Sequence, residues 1–290
     1  MEIIDAQLHE PMPAGQWTLD DEAGVALAVE LTVAAMDAAG VEGAILCSAR
    51  APYANAAVSH FPRRLAALAE YDYGDPAIED LVAQVSDKPG IVGLRMVLTA
   101  RPGMLERLQA AEFDRFFAAA EAHAVPLCLF VSGALPVVSG IAEAHTGLTL
   151  VIDHFGLRQP PLQQPDDPPF RRLDELLALA RHPNVAVKFS GAPTLSREPY
   201  PYRDLWPALH RVLERFGPER LMWGTDIQRV WGHYRVEAGV RHVPDPPGRH
   251  SYAEAVGFVL HSSEISYSDK ELLLGGTLRA VFRWPSPADG

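Results

Sequence analysis

The sequence predicts a single (β/α)8 barrel spanning residues 1–290, and three observations carry that prediction. Short apolar runs alternate with longer stretches of helical periodicity, as repeated βα units require. Eight such runs are present, and 290 residues is a length that one barrel fills as a single domain. No internal repeat and no linker composition divides the chain.

In chain order, strands are expected near Glu2–Asp5, Gly43–Ser48, Leu65–Tyr71, Val92–Leu98, Pro126–Val131, Thr149–Asp153, Ala186–Ser190 and Leu221–Gly224. Between them Phe113, Phe116, Phe117 and Ala120, and again Leu173, Leu176, Leu177 and Ala180, recur at helical spacing. Each set gives a helix one apolar face for the barrel wall. Asp75-Pro76 reads as a cap followed by a first-turn proline, while Ser251 with Glu254 and Ser268 with Glu271 fit capping boxes. Long loops are expected after the sixth strand, from Leu157 to Pro169, after the seventh, from Ala192 to Tyr202, and after the eighth, from Ile227 to Arg249. All three fall on the C-terminal face, where barrels place their chemistry.

Composition excludes several classes of function. The chain is 48% hydrophobic and 21% charged with no run long enough to span a bilayer, so no membrane partner is expected. A net charge of −12 without a cluster of Lys and Arg weighs against nucleic-acid binding. Met1-Glu2-Ile3-Ile4-Asp5 enters strand-like sequence at once, without the order of an export signal, and a cytoplasmic protein is expected. Cys47 and Cys128, each inside an apolar run, read as buried reduced thiols. Homo-oligomer formation is left open.

Polar residues gather at strand ends: Asp5-Ala6-Gln7-Leu8-His9, Arg95, Asp153-His154-Phe155-Gly156, Lys188-Phe189-Ser190-Gly191 and Trp223-Gly224-Thr225-Asp226. In this order and spacing they resemble the amidohydrolase superfamily, in particular its branch of 2-pyrone-4,6-dicarboxylate lactonases, over nearly the whole chain. The metal-binding members of that superfamily carry His-x-His after the first strand, a His after the fifth, a His after the sixth and an Asp after the eighth. Here Gln7 stands where the first of these would be, and Leu129-Phe130-Val131-Ser132-Gly133 has no His. His9, His154 and Asp226 remain. The lactonase branch includes members that work without metal, so the resemblance implies that Asp226 activates water, with His154 and His9 as the other catalytic candidates. No cofactor is expected. The alternative is one divalent metal, Zn or Mn, on His9, His154 and Asp226.

Substrate recognition is expected from Arg95 and Arg101, whose spacing matches an arginine pair that grips carboxylates in those lactonases. Arg95 also fits an ion pair with Asp5 or Asp153, and Arg101 also fits a solvated loop position. Gln7, Ser48 and Asn55 complete the expected substrate contacts, Asn55 serving equally well as a cap at a helix start. Asp153 is expected to point away from the cavity, since adjacent strand residues face opposite sides. Lys188 is expected to point either to the cavity or, as the favoured reading, to a carboxylate inside the barrel. The seventh strand departs from the lactonase pattern, running from Ser190-Gly191 into Ala192-Pro193 instead of Tyr-Arg. Arg229, Trp231, His233 and Tyr234 are candidates for shaping the pocket.

The expected activity is therefore metal-independent opening of a lactone that bears a carboxylate. Two competitors stand beside it: a metal-dependent decarboxylase or amidohydrolase of the same superfamily, and a binding barrel without catalysis.

Overall fold

The computed structural model describes residues 1–11, 18–48, 50–159, 163–226, 235–237, 240–242 and 250–284. Eight parallel strands pair in sequence order: β1 (Ile4–Leu8), β2 (Gly43–Leu46), β3 (Leu65–Ala69), β4 (Ile91–Val97), β5 (Leu127–Phe130), β6 (Leu150–Ile152), β7 (Val185–Ser190) and β8 (Leu221–Gly224). The Asp226 N–H donates to the Gln7 carbonyl at 2.8 Å, bringing the end of β8 onto β1 and nearly closing the barrel. Around it lie α1 (Glu22–Ala39), α2 (Ala51–His60), α3 (Ile78–Ala83), α4 (Met104–Gln109), α5 (Asp114–Ala122), α6 (Pro136–Ala144), α7 (Leu173–Ala178), α8 (Trp206–Phe216), α9 (Tyr252–Leu260), α10 (Tyr267–Glu271) and α11 (Thr277–Phe282). This is the (β/α)8 barrel that the sequence predicts. No helix among the described residues is long and apolar enough to cross a membrane.

Strand alternation sorts the core. Ile4, Ala6, Ile45, Cys47, Ala66 and Cys128 are among the residues that fill the barrel's interior, and Leu278, Phe282 and Trp284 near the C-terminal end pack onto the same cluster. Their neighbours on each strand, such as Ala44, Leu65, Leu127 and Leu150, join the larger shell between sheet and helices. Phe113, Phe116, Phe117 and Ala120 are buried in that shell, as their spacing predicts.

Several boundaries differ from the sequence reading. β1 runs from Ile4 to Leu8, because the polar Asp5 and Gln7 find partners inside the fold and extend the strand. Ser251 and Glu254 form the expected capping box at the start of α9. At α10 the cap is Ser266, whose side chain accepts from the Asp269 N–H, so Ser268 lies inside the helix. Asp75 accepts from the Ala77 N–H at 2.8 Å, a turn ahead of α3 in place of the expected cap. The segment after β7 begins as a buried single turn, Ala192–Leu195, and the segment after β8 contains an antiparallel pair, β9 (Arg235–Glu237) with β10 (Val240–His242).

Candidate active site

The register between β1 and β2 shifts between Asp5 and Leu8. Without that bulge, Asp5 and Gln7 would share one face of the strand. With it, Asp5 faces outward to Tyr252 of α9, while Gln7 faces inward to Lys188. The bulge thus separates a structural carboxylate from an amide of the site.

Above the apolar floor lies a charged layer. Asp153, which directly follows β6, and Lys188 of β7 are fully buried, with Lys188 Nζ 3.1 Å from Asp153 Oδ1 in an ion pair that lacks hydrogen-bond geometry. The other carboxylate oxygen accepts from Arg95 Nε at 3.0 Å. Burial alone would raise the Asp153 carboxyl, but the charges of Lys188 and Arg95 outweigh it and hold the group below the usual carboxylate range. Asp153 therefore points inward, against the expectation from alternation. The reason is local: β6 ends at Ile152, and the chain then turns through left-handed His154 and Phe155, φ +54° and +59°, so strand parity no longer applies.

Lys188 Nζ also donates to Gln7 Oε1 at 2.7 Å. An ammonium only donates, so this bond fixes the amide, with oxygen toward Lys188 and NH2 toward His9 Nε2 at 3.4 Å. Cys47 donates to the same oxygen at 3.2 Å. Burial pushes its thiol up to about 11, and that of Cys128 up to about 12, so both are protonated at neutral pH.

The structure brings His9, His154 and Asp226 together at the C-terminal mouth. His9 Nε2 lies 3.0 Å from Asp226 Oδ1, and His154 Nε2 lies 3.7 Å from Asp226 Oδ2. The second distance is too long for a hydrogen bond. Ser190 Oγ is 2.8 Å from His154 Nδ1. With a carboxylate facing Nε2, the consistent tautomer carries the proton there and accepts the Ser190 hydroxyl proton at Nδ1. Asp226 itself sits at φ +54°, an uncommon backbone state for a residue other than glycine. Its place is fixed from both sides: its own N–H is held by Gln7, and the preceding Thr225 donates its N–H to Asp5 Oδ1 at 2.9 Å and its hydroxyl to Asp5 Oδ2.

Arg95 and Arg101 also come together, through a residue that the sequence reading missed. Glu70, directly after β3, accepts from Arg95 Nη1 at 3.2 Å and from Arg101 Nη2 at 2.6 Å. The available signal was a lone carboxylate at the end of an apolar run, Leu65–Ala69, where barrels place polar function. Of the two partners considered for Arg95, the structure selects Asp153 over Asp5. Ser48 accepts from the Arg50 N–H at 2.9 Å and shapes the turn after β2. Asn55 is exposed in the second turn of α2, not at a helix start, and no contact among the described residues joins it to the cluster. Arg229, Trp231, His233 and Tyr234 lie outside the described residues.

Among the described residues, no group of three His, Cys, Asp or Glu side chains is arranged to hold a metal ion. His9 is bonded directly to Asp226, and Gln7 turns its NH2, which cannot ligate, toward the site. Gln is a poor ligand for zinc, which favours His, Cys and carboxylate donors.

The amidohydrolase family matches residues 4–284. A 4-sulfomuconolactone hydrolase of Hydrogenophaga intermedia is 34% identical over 148 residues, 50% of this chain and 45% of that protein. A 2-pyrone-4,6-dicarboxylate hydrolase of Comamonas testosteroni is 30% identical over 145 residues, 47% of this chain and 41% of that protein. The chain thus spans somewhat under half the length of these curated relatives. A zinc-bound amidohydrolase of Burkholderia multivorans has the same fold, with a TM-score of 0.75 at 22% identity, over 98% of this chain and 100% of that one.

Proposed function

The chain belongs to the amidohydrolase family, and on that premise we propose that it opens a lactone by hydrolysis, with Asp226 as the base that activates water. The observation that carries this reading is the buried Asp226 carboxylate at the C-terminal mouth, with His9 Nε2 3.0 Å from one oxygen and His154 Nε2 3.7 Å from the other. A carboxylate so placed accepts a proton from water while His9 keeps it oriented. The relatives named above act on a sulfomuconolactone and a pyrone dicarboxylate, both cyclic esters.

Water attacks the ester carbonyl as its proton passes to Asp226. The His154 Nε2–H, fixed by Ser190, donates to the oxyanion that forms. When the intermediate collapses, the ring C–O bond breaks and Asp226 returns its proton to the leaving oxygen, giving a hydroxy acid or its enol equivalent. Arg95, partly committed to Asp153 and Glu70, orients an acidic group on the ring. The reaction needs no metal in this scheme.

Replacement of Asp226 by Asn keeps size and removes the base. The expected result is a fall in kcat of about 10²–10⁴-fold against a hydrolysable lactone, with the circular dichroism spectrum and melting temperature retained. Turnover within tenfold of wild type would remove Asp226 from this role. Elemental analysis of the active enzyme separates the mechanisms: substoichiometric metal and activity that survives chelation are expected. Stoichiometric metal whose removal abolishes turnover would favour the decarboxylase or amidohydrolase reading on the same three residues.

A further inference from the structure

The Glu70 carboxylate bridges two guanidinium groups, those of Arg95 and Arg101. Its two oxygens are divided between Arg95 Nη1 and Arg101 Nη2, at 3.2 Å and 2.6 Å. Arg95 spends its Nε on Asp153, which leaves Nη2 without a hydrogen bond to any described residue. Arg101 is half-exposed at the rim, whereas the side chains of Arg95 and Glu70 are 9% and 15% exposed. The three cations of this layer, Lys188, Arg95 and Arg101, face two carboxylates, Asp153 and Glu70. Across the barrel the turn after β7, Ala192–Leu195, is buried and carries no cation that could take a second anion.

We infer that Glu70 is a built-in carboxylate filling one half of the arginine pair, so that the preferred lactone carries one acidic group and not two. This inference rests on the lactonase reading for its substrate, but not for its binding geometry. A second carboxylate on the ligand must displace Glu70 from two charge-assisted bonds or stand beside it as a like charge, and both choices weaken binding. A singly charged ligand meets Arg95 Nη2 with Glu70 left in place. Glu70 is then a specificity-determining residue, and the expected preference differs from that of an arginine pair left open.

The test uses two lactones of equal ring size, one with one carboxylate and one with two. Wild type is expected to favour the monocarboxylate in kcat/KM by at least ~tenfold. Glu70→Gln is expected to shift that ratio toward the dicarboxylate by ~tenfold, chiefly through KM, and the double variant Glu70→Gln/Arg101→Ala is expected to lose the shift. Equal or better use of the dicarboxylate by wild type would overturn the inference, as would a folded Glu70→Gln variant with an unchanged ratio. Calorimetric binding of benzoate and isophthalate to the wild-type protein reads the same preference without catalysis: benzoate is expected to bind more tightly, and isophthalate binding as tightly would overturn the inference even if Glu70→Gln did not fold. Failure of every lactone to turn over counts against the proposed function alone, because the calorimetric comparison still stands.

Discussion

Ser190 ends β7 with its hydroxyl 2.8 Å from His154 Nδ1, and this contact decides what His154 offers the reaction. A hydroxyl donating to Nδ1 keeps the proton on Nε2, the nitrogen that faces Asp226. Ser190→Ala is expected to lower kcat about tenfold while changing KM less, since it loosens a donor to the transition state and not a substrate contact. A threonine at 190 keeps the hydroxyl and should recover part of the loss. A fall confined to KM would show that Ser190 serves binding instead. His154 and Asp226 were legible as candidates because each stands within two residues of the end of an apolar strand. The Ser190–His154 and Glu70–Arg95 contacts were not, because they join side chains 36 and 25 residues apart that belong to different βα units. Asp153 was misplaced for a backbone reason: parity along a strand says nothing once the chain enters the left-handed region at His154.

At the level of elements, the seam between β1 and β8 does most to place Asp226. A Cβ on Gly224 would stand 2.9 Å from the Gln7 backbone nitrogen and 3.0 Å from Gln7 Cβ. Those atoms belong to the bulged part of β1, whose register sets Gln7 and His9 inward, so they have little room to give. Gly224→Ala is expected to cost about 1–3 kcal/mol in urea unfolding, as overpacking does, and to lower activity by moving Asp226 two residues on. Gly140→Ala, in α6 with nothing within 4 Å of the added methyl, is the control and should gain about 0.5–1 kcal/mol. Equal midpoints for the two variants would refute the close approach at the seam. The repeated alternation of apolar runs made the eight strands readable, whereas the bulge was not, because Asp5, Gln7 and His9 follow a regular two-residue spacing in sequence. Only the pairing with β2 reveals that the spacing is interrupted.

Across the whole molecule, the same seam links stability to pH through Asp5. Burial raises its carboxyl from 3.8 to about 6, despite opposing bonds from the Thr225 hydroxyl, the Gln7 and Thr225 N–H groups and the Tyr252 hydroxyl. A carboxyl whose folded value lies above its unfolded value contributes stability that is complete below the unfolded value and lost as pH rises through the folded one. For Asp5 that window runs from about pH 4 to about pH 6, and the shift corresponds to about 3 kcal/mol. Asp153 works in the opposite sense: Lys188 and Arg95 overcome burial and lower it, so its contribution is present above the ordinary carboxylate range and lost in stronger acid. His250, which burial holds down at about 4, also loses its contribution as pH falls, from about 6.5 downward. The wild-type curve therefore mixes opposing slopes, and the Asp5 component is isolated by difference. Asp5→Asn cannot titrate at this position but leaves Asp153 and His250 as they were. Subtracting its unfolding free energy from that of wild type, measured in urea at steps between pH 4 and pH 6, should give a difference that falls by up to about 3 kcal/mol as pH rises. A difference that is flat with pH would mean that Asp5 is ionised throughout, with its four donors offsetting burial, and the barrel seam would then be indifferent to acid in this range.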